Sequence, residues 1–457
     1  MTPAAVAFAQ YVKNKTVTII GAGISNTPLV EMFARYGCRS IQIRDKNPIS
    51  ADRLELFQKF GAQIVCGENY LEDLNSQLIL RTPGMRPDRP ELVKAREQGA
   101  VVTSETQLFL RFCPCKTFGV TGSDGKTTTT TLISKLLATT GRKVHLGGNI
   151  GRPLLPILDQ IQPEDYVCLE LSSFQLMDAQ YSPDVSVITN ISENHLDWHK
   201  DMQEYKQAKA NIFLHQKPGG NLILNQDDPE STAYAKQYHG KIRYFSLKNP
   251  VEEGAWLAQD VLTYNQPGYS PVSLFCKNNI RIPGIYNVAN YLAAICSVYQ
   301  EVDPQSILAV AREFNGVEHR VEHVRTLGGV RYYNSSIDSS PARTIATLGA
   351  FEEKLTVICG GYDKNLDYTV LKPHFEKRVK AVYVTGQTAP KILSALEGAD
   401  TPYTICRCDS LKDALEKAKS KALPGDVVIL SPASASFDSF KNFEERGRYF
   451  KDLVNNL

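Results

Sequence analysis

The chain has 457 residues, of which 42% are hydrophobic, and its 51 Lys and Arg residues nearly balance its 49 Asp and Glu residues. This balance gives no reason to predict a nucleic-acid groove or an anionic membrane surface as a partner. No apolar run approaches the roughly 20 residues of a membrane span, and the N-terminal segment lacks the features of a secretory signal. We therefore expect a cytoplasmic protein that recognises its ligands through local clusters of residues.

Apolar runs of strand length alternate with amphipathic stretches of helix length, which is typical of βαβ units and parallel sheets. The first run, residues 16–23, enters a glycine turn. A helix closed by Gly37 follows it, and residues 40–45 form the next strand. We place the end of a first domain near Ser104, before the helical stretch that begins at Glu105.

The turn Gly21-Ala22-Gly23 is half of a dinucleotide-binding fingerprint. Asn26 stands where the third glycine would be, while Asp45, at the end of the next strand, stands where a ribose-binding acid would be. NAD binding therefore remains an alternative, but a diphosphate of another kind, or turn geometry alone, is favoured.

The strongest signal is the loop Gly122-Ser123-Asp124-Gly125-Lys126-Thr127, between an apolar strand and a helix rich in Thr and Leu. Glycines let backbone N–H groups turn towards phosphate oxygens, and the helix N-terminus adds its positive dipole end. Lys126 would reach the β- and γ-phosphates and Thr127 would ligate Mg²⁺. Because Val120 stands where the strict pattern has glycine, the match is to a variant phosphate loop.

Further strands are predicted at 166–171, 185–191 and 220–225, and a helix at 285–300. A second boundary fits near Asn315, after which the alternation of strands and helices resumes. Length also favours three domains, at about 150 residues each.

Ten cysteines are scattered through the chain, which indicates reduced thiols. The pairs Cys113/Cys115 and Cys406/Cys408 lack the Cys-x-x-Cys spacing of zinc sites, so we do not expect them to bind metal.

The chain resembles the Mur ligases over essentially its whole length. The segments that carry the resemblance are TGSDGKT (121–127), GGNIG (147–151), ELSSFQL (170–176), NISENHLD (190–197), YNVAN (286–290), EHR (318–320) and SPASASFDSFKNFEERG (431–447). The third and last of these are typical of the branch that adds D-glutamate, whereas the phosphate loop alone is not.

The resemblance implies an α/β protein of three domains. These are a Rossmann-like UDP-sugar-binding domain (1–104), a central P-loop ATPase-type parallel sheet (105–315) and a Rossmann-like amino-acid-binding domain (316–457). It implies an ATP- and Mg²⁺-dependent ligase of peptidoglycan-precursor synthesis that joins D-glutamate to UDP-N-acetylmuramoyl-L-alanine through an acyl phosphate. We expect a monomer without nucleic-acid or membrane partners.

The family's functional positions carry over residue by residue. For ATP they are Gly122, Ser123, Asp124, Gly125, Lys126, Thr127, Thr128, Asn287, Asn290 and Arg320. For the UDP-sugar they are Ser25, Asp45, Thr82, Gly84 and Asn149, and for the amino acid Lys364, Ser436 and Phe443. The catalytic set is Lys126, Glu170, His195, Lys209 and Arg320, and the metal set is Thr127, Glu170, His195 and Lys209.

Lys209 matches a family lysine that is carbamylated. Adding CO₂ turns the amine into an anion with two oxygens that suits a hard cation, and the addition requires a neutral amine. Without the resemblance, Lys209 would be interpreted as a solvated helix-face lysine and His195 as a hydrogen-bonded core histidine.

Two positions depart from the branch's pattern. Ser335 stands where an acidic residue is common, which weakens an expected ATP-ribose contact, and Ile337 stands where a lysine is common, which removes a cation for the acceptor's carboxylate. Arg343 or Lys364 are candidates for the missing charge, and Asp338 for the missing acceptor group.

Two alternatives remain open. One is a Mur-type or folylpolyglutamate-type ligase that adds a different amino acid, although the UDP-type first domain argues against the folate enzyme. The other is a module that senses nucleotides without turnover, which would not need the combination of Lys126, Glu170, His195 and Lys209.

Overall fold

The computed structural model describes residues 1–23, 26–398 and 402–457. Its α-helices are α1 Pro3–Val12, α2 Thr27–Arg35, α3 Ala51–Lys59, α4 Pro90–Glu97, α5 Glu105–Phe112, α6 Lys126–Ala138, α7 Ser173–Leu176, α8 Met202–Ala210, α9 Pro229–Thr232, α10 Ile285–Val298, α11 Pro304–Glu313, α12 Pro341–Leu348, α13 Lys372–Arg378, α14 Ala389–Leu396, α15 Leu411–Lys421 and α16 Phe443–Asn455. Short 3₁₀ helices cover Leu155–Gln160, Ala233–Gln237, Lys277–Asn279 and Thr369–Leu371.

The strands belong to three sheets. They are β1 Thr16–Ile20, β2 Ser40–Asp45, β3 Gln63–Cys66, β4 Leu78–Leu80, β5 Val101–Thr103, β6 Lys116–Thr121, β7 Val144–Gly148, β8 Tyr166–Glu170, β9 Val185–Ile188, β10 Asn221–Asn225, β11 Lys241–Ser246, β12 Gly254–Ala258, β13 Val261–Asn265, β14 Val272–Cys276, β15 Glu322–Leu327, β16 Val330–Asn334, β17 Leu355–Gly360, β18 Val379–Thr385, β19 Thr404–Arg407 and β20 Val427–Leu430.

The chain divides into two compact units, residues 1–277 with 289–310 and residues 278–288 with 311–457. The first unit contains two sheets. The smaller is parallel throughout, in the order β3-β2-β1-β4-β5. The larger has the order β14-β13-β12-β11-β10-β9-β6-β8-β7.

The larger sheet is parallel from β7 to β12, and β13 and β14 extend it as antiparallel strands. Every residue of β8 and β9 is buried, as expected for central parallel strands covered on both faces. The apolar core is continuous between the two sheets, since Val17 and Ile19 of β1 belong to the same cluster as Leu169 of β8 and Ile188 of β9.

The second unit contains a six-stranded sheet in the order β15-β16-β20-β17-β18-β19. Only the β15/β16 pair is antiparallel within this sheet. Separate apolar clusters cover its two faces. Helix α16 begins where the Asn442 side chain accepts a hydrogen bond from Glu445 N–H, a normal N-cap.

The predicted α/β class with parallel-rich sheets is confirmed. The boundaries after residues 104 and 315 stay predictions. The antiparallel pairing of β13, β14 and β15 is not predicted by the sequence pattern, which indicates parallel sheets alone. Among the described residues, no helix is both long and apolar enough to cross a membrane.

Candidate functional site

The phosphate loop lies between β6 and α6, at the carboxyl edge of the larger sheet. Gly122 and Gly125 both have positive φ angles, 145° and 78°, which glycine adopts without strain. A Cβ at Gly122 would overlap the Thr189 hydroxyl, and one at Gly125 would overlap the Asn290 side chain. Lys126 begins α6, and its Nζ donates to the carbonyls of Gly122 and Ser123 at 2.9 and 2.8 Å.

A second loop, residues 189–192, holds the phosphate loop in shape. The Ser123 N–H donates to the Asn190 carbonyl at 2.9 Å, and the Asp124 N–H donates to Asn190 Oδ1 at 3.0 Å. Asn290, on α10, accepts a hydrogen bond from the Thr129 hydroxyl at 3.2 Å. Thr127 and Thr128 lie in the first turn of α6. Contacts from residues 189–192 and from α10 therefore fix the conformation of the phosphate loop.

Glu170 is the last residue of β8 and is only 2% exposed. Its Oε1 accepts a hydrogen bond from Asn149 Nδ2 at 2.8 Å. Its Oε2 is buried and has no hydrogen-bond partner among the described residues. A buried carboxylate oxygen without a partner is costly and indicates that a ligand, such as a cation, completes the site.

Lys209 is buried, with 1% of its surface exposed. Its Nζ donates to the Gly122 carbonyl at 2.7 Å and lies 4.6 Å from the Tyr205 ring centroid. Burial, followed by the charge of Lys126, lowers the pKa of Lys209 well below that of an ordinary lysine. The interpretation of Lys209 as a solvated helix-face lysine is therefore wrong.

His195 follows β9 in a left-handed conformation, with φ 56°, and is exposed. Its ring centroid lies 4.9 Å from that of Phe174. Burial and the charges of Lys126 and Lys209 lower its pKa, while Asp197 raises it. The lowered pKa favours the neutral imidazole, the form that binds metal. Because His195 is exposed, the core-histidine interpretation is wrong.

No group of three or more His, Cys, Asp and Glu side chains in the described part of the chain is placed to hold a metal. The predicted metal set contains only two residues of these types, Glu170 and His195, and takes its other members from a hydroxyl and a modified lysine. It therefore stays a prediction.

Of the predicted UDP-sugar residues, Asp45 and Thr82 lie at the carboxyl ends of β2 and β4, and Asn149 directly follows β7. Asp45 accepts hydrogen bonds from the Ala22 and Asn47 N–H groups, both at 2.8 Å. Thr82 packs against the Gly21 turn, since a Cβ at Gly21 would lie 3.4 Å from that of Thr82. Gly84 is exposed two residues further along. Ser25 lies outside the described residues.

Sequence reasoning missed the contacts that join the loop after β4 to the larger sheet. Arg81, which is fully buried, pairs with Asp178 and donates to the Met85 carbonyl at 2.9 Å. Arg86 pairs with Glu204, 118 residues away in sequence. No local pattern distinguishes these arginines from solvated ones, so the sequence carries no signal for them.

In the second unit, Asn287 and Arg320 are the predicted ATP residues. Asn287 Nδ2 donates to the Pro283 carbonyl at 2.6 Å. Arg320 is half-buried beside His319, which has a φ of 64°. Burial raises the pKa of the Asp338 carboxyl to about 6, and the positive charge of Arg320 opposes this with a smaller effect.

The predicted amino-acid residues lie near the carboxyl ends of β16, β17 and β20. Ser436 is buried, while Lys364 is exposed with Nζ 5.4 Å from the Phe437 ring centroid. The Phe443 carbonyl accepts a hydrogen bond from the Ser336 hydroxyl at 2.8 Å. Arg446 donates to the Ser336 hydroxyl at 3.0 Å and the Ala435 carbonyl at 2.9 Å, so it holds these loops together.

A cavity of about 350 Å³ opens beside these loops. It is lined in part by Gly360, Gly386, Asp409 and Asp438, at the ends of parallel strands. Ligands of open α/β sheets bind at such carboxyl ends.

Two family models match the chain: "Mur ligase middle domain" over residues 120–298 and "Mur ligase, glutamate ligase domain" over residues 319–434. The UDP-N-acetylmuramoylalanine--D-glutamate ligase of Acetivibrio thermocellus is 46% identical over 460 residues, and the protein of the same name from Ruminiclostridium cellulolyticum is 45% identical over 459. Each alignment covers 98% of both chains.

Among solved structures, the UDP-N-acetylmuramate-alanine ligase of Thermotoga maritima is similar at a TM-score of 0.58 and 19% identity. That match covers 97% of this chain and 99% of the other. At this identity the likeness shows the fold alone.

Proposed function

The chain belongs to the Mur ligase family, and from that premise we propose that it joins D-glutamate to UDP-N-acetylmuramoyl-L-alanine with hydrolysis of ATP. The identity of 46% over nearly the full length to a D-glutamate ligase supports this acceptor. The observation that carries the chemistry is the cluster of Lys126, Glu170 and Lys209 around the phosphate loop.

The reaction needs two bond exchanges. A carboxylate oxygen of the UDP-substrate attacks the γ-phosphorus of ATP, and the bond to ADP breaks to leave an acyl phosphate. The amine of D-glutamate, having lost its ammonium proton, then attacks the acyl carbon, and the C–O bond to phosphate breaks. The amide nitrogen loses a further proton as inorganic phosphate leaves. Both steps depend chiefly on positioning and on neutralising charge.

For ATP, the N–H groups of residues 122–128 surround the phosphates, and Lys126 turns from its two backbone carbonyls to the β- and γ-phosphates. Asn290, already packed against Gly125, would contact the nucleotide from α10, and Asn287 is a further predicted contact. Arg320 would place its planar fork on phosphate oxygens. We also propose that the first domain ends after residue 104 and the second after residue 315.

The residues present fit Mg²⁺. Glu170 offers a buried carboxylate oxygen without a partner among the described residues, and Thr127 offers a hydroxyl oxygen in the first turn of α6. Mg²⁺ prefers such hard oxygen ligands, and the His195 imidazole would add a nitrogen ligand. When bound, the metal supplies positive charge to the phosphate oxygens. Lys209, as a carbamate, would add two more oxygens to the same set.

The UDP-sugar would lie across the turns that carry Asp45, Thr82 and Gly84, and Asn149 would contact it from the central sheet. Ser25 stays a predicted contact. D-glutamate would take the loops of the second unit, where Lys364 supplies positive charge, Ser436 a hydroxyl and Phe443 an apolar wall. Paired carboxylates favour this combination of cations and N–H donors.

The test is phosphate release with UDP-N-acetylmuramoyl-L-alanine, ATP and one amino acid at a time. We expect release with D-glutamate and background rates with L-glutamate, which has the same charge and composition. Absence of release with D-glutamate, or faster release with another amino acid, overturns the acceptor assignment. ATP binding without release under all conditions would instead favour a sensing module.

We also propose that the protein is a cytoplasmic monomer that needs no nucleic-acid or membrane partner. The near balance of charges supports the absence of a nucleic-acid or membrane partner. Light scattering of the purified protein with its substrates tests the monomer, and a mass twice that of the 50.8 kDa chain contradicts it.

A further inference from the structure

A single arginine joins the loop after β4 to helix α8. Arg86 lies two residues beyond Gly84, in the loop proposed to bind the UDP-sugar. Glu204 lies in the first turn of α8, the helix that carries Lys209. The loop continues from the smaller sheet of the first unit, whereas α8 follows a strand of the larger sheet. The Arg86–Glu204 contact therefore bridges two sheets that share no strand.

All five N–H groups of the Arg86 guanidinium are used. Nη1 donates to the Trp198 carbonyl at 2.7 Å and to Glu204 Oε2 at 3.0 Å, and Nη2 donates to Glu204 Oε1 and Asp88 Oδ2, both at 2.8 Å. Nε donates to Asp88 Oδ1 at 2.9 Å. Because bidentate pairing fixes the plane of the fork as well as its position, Arg86 sets the relative orientation of the two segments.

Trp198 contacts both Arg86 and the loop that follows β4. Its Nε1 donates to the Gly84 carbonyl at 3.0 Å, and the Arg86 guanidinium carbon lies 5.0 Å from its ring centroid. The Phe174 ring packs 4.6 Å from Trp198 and 4.9 Å from His195. The proposed UDP-sugar loop and the turn that carries His195 thus share one packed cluster.

Glu204 connects Arg86 to the first turn of α8. Its Oε2 accepts a hydrogen bond from the Lys200 N–H at 2.9 Å and lies 3.4 Å from His199 Nδ1. The hydrogen bonds from Arg86 lower the pKa of Glu204 to about 2, so the carboxylate stays charged at any working pH. A displacement of Glu204 would shift the helix that holds Lys209 beside the phosphate loop.

We propose that Arg86 is a positioning residue that makes the placement of His195 and of the α8 N-terminus depend on the UDP-sugar loop. The side chains of the phosphoryl-transfer site are then correctly placed when the ligand holds that loop. The inference rests on the proposed function, which assigns the UDP-sugar to the loop and the transfer chemistry to the α8 side. A misplacement of about 1 Å is enough to cost about 100-fold in rate.

The kinetic test compares Arg86→Ala and Arg86→Lys with Arg89→Ala. Arg89 is a matched control because, among the described residues, its hydrogen bonds are to Glu91, two residues away. We expect Arg86→Ala to lower kcat about 10- to 100-fold while the KM for the UDP-substrate changes less than threefold. Arg86→Lys should recover part of kcat, because an ammonium pairs with Glu204 but does not reproduce the fork. Arg89→Ala should stay within twofold of the parent.

A second readout needs no turnover. The chain has two tryptophans, so Trp256→Phe leaves Trp198 as the sole reporter within the contact. Adding UDP-N-acetylmuramoyl-L-alanine without ATP or metal should change Trp198 fluorescence. Arg86→Ala in this background should lose most of that change while calorimetry still records binding. If the parent binds the UDP-substrate but releases no phosphate, the proposed function fails and the fluorescence still tests the coupling.

The inference is overturned if Arg86→Ala keeps kcat within twofold of the parent. It is also overturned if the Kd for the UDP-substrate rises as much as kcat falls, because Arg86 would then belong to the binding site itself. Glu204→Gln, which keeps the shape of the side chain, guards against loss of the fold. We expect this variant to lose kcat severalfold with a melting midpoint near that of the parent, and an unchanged kcat contradicts the proposal equally.

Discussion

Replacing Asp338 by asparagine should stabilise the protein at neutral pH. The Asp338 carboxylate is 4% exposed, and its Oδ2 accepts hydrogen bonds from the Thr347 and Ser431 hydroxyls at 2.7 and 2.8 Å. Burial outweighs these hydrogen bonds and raises the pKa of Asp338 to about 6. An ordinary aspartate has a pKa of about 4. Compared with such a group, the buried charge of Asp338 costs about 3 kcal/mol of folding free energy at pH 7.5.

The sign follows from the direction of the pKa change. Above pH 6 the carboxylate is charged in both the folded and the unfolded protein, and the full cost is present. Below about pH 4 it is protonated in both states, and the cost disappears. Asparagine keeps an oxygen that accepts from both hydroxyls, so we expect a gain of about 1 to 3 kcal/mol at pH 7.5 that falls by roughly half at pH 5.

Urea denaturation at the two pH values measures this gain. Asp452→Asn, at an exposed position of α16, controls for the loss of one negative charge and should change stability by less than about 0.5 kcal/mol. A variant no more stable than the parent at pH 7.5, or one whose advantage is the same at both pH values, would refute the reasoning. The cost would then not arise from ionisation.

Lys126→Ala should lower turnover by about 100- to 1,000-fold, because a fixed cation at the phosphates is lost. Calorimetry should find the affinity for the UDP-substrate within twofold of that of the parent. A near-normal rate of phosphate release would contradict the phosphate-loop assignment. Lys209→Ala should lose activity and regain part of it with added short carboxylic acids that replace the carbamate, whereas full activity without them would exclude the carbamate. Arg343→Ala should raise the KM for D-glutamate about tenfold at an unchanged KM for ATP, since Arg343 Nη1 lies 3.0 Å from the Ile337 carbonyl. An unchanged KM would remove Arg343 from the acceptor site.

Local sequence patterns predicted the elements that have strong local causes. The strand–glycine–helix pattern around Lys126 predicted β6, the loop and α6, because the positive φ angles of Gly122 and Gly125 demand glycine. Residues 40–45 form β2 with the predicted bounds, and the helix expected over 285–300 runs from Ile285 to Val298. In each case the chain itself encodes the period or the turn.

The rest depends on contacts between residues distant in sequence. The antiparallel strands β13 and β14 resemble other apolar runs in sequence, and only their pairing shows their direction. Arg81, Arg86 and Glu204 resemble solvated charges until the fold brings two segments of the chain together. Lys209 was assigned by resemblance, whereas its burial is visible only in the structure.

The burial of Lys209 explains why this position suits a modified lysine. A protonated amine there would lie in a nearly dry environment with the positive charge of Lys126 nearby, and both effects lower its pKa. The lowered pKa therefore favours the neutral amine, which is the form that attacks CO₂. The carbamate would reverse the sign of the charge, so that repulsion between residues 126 and 209 becomes attraction. Since Lys209 Nζ also donates to the Gly122 carbonyl, the same reversal would release that contact and free the phosphate loop to face its ligand.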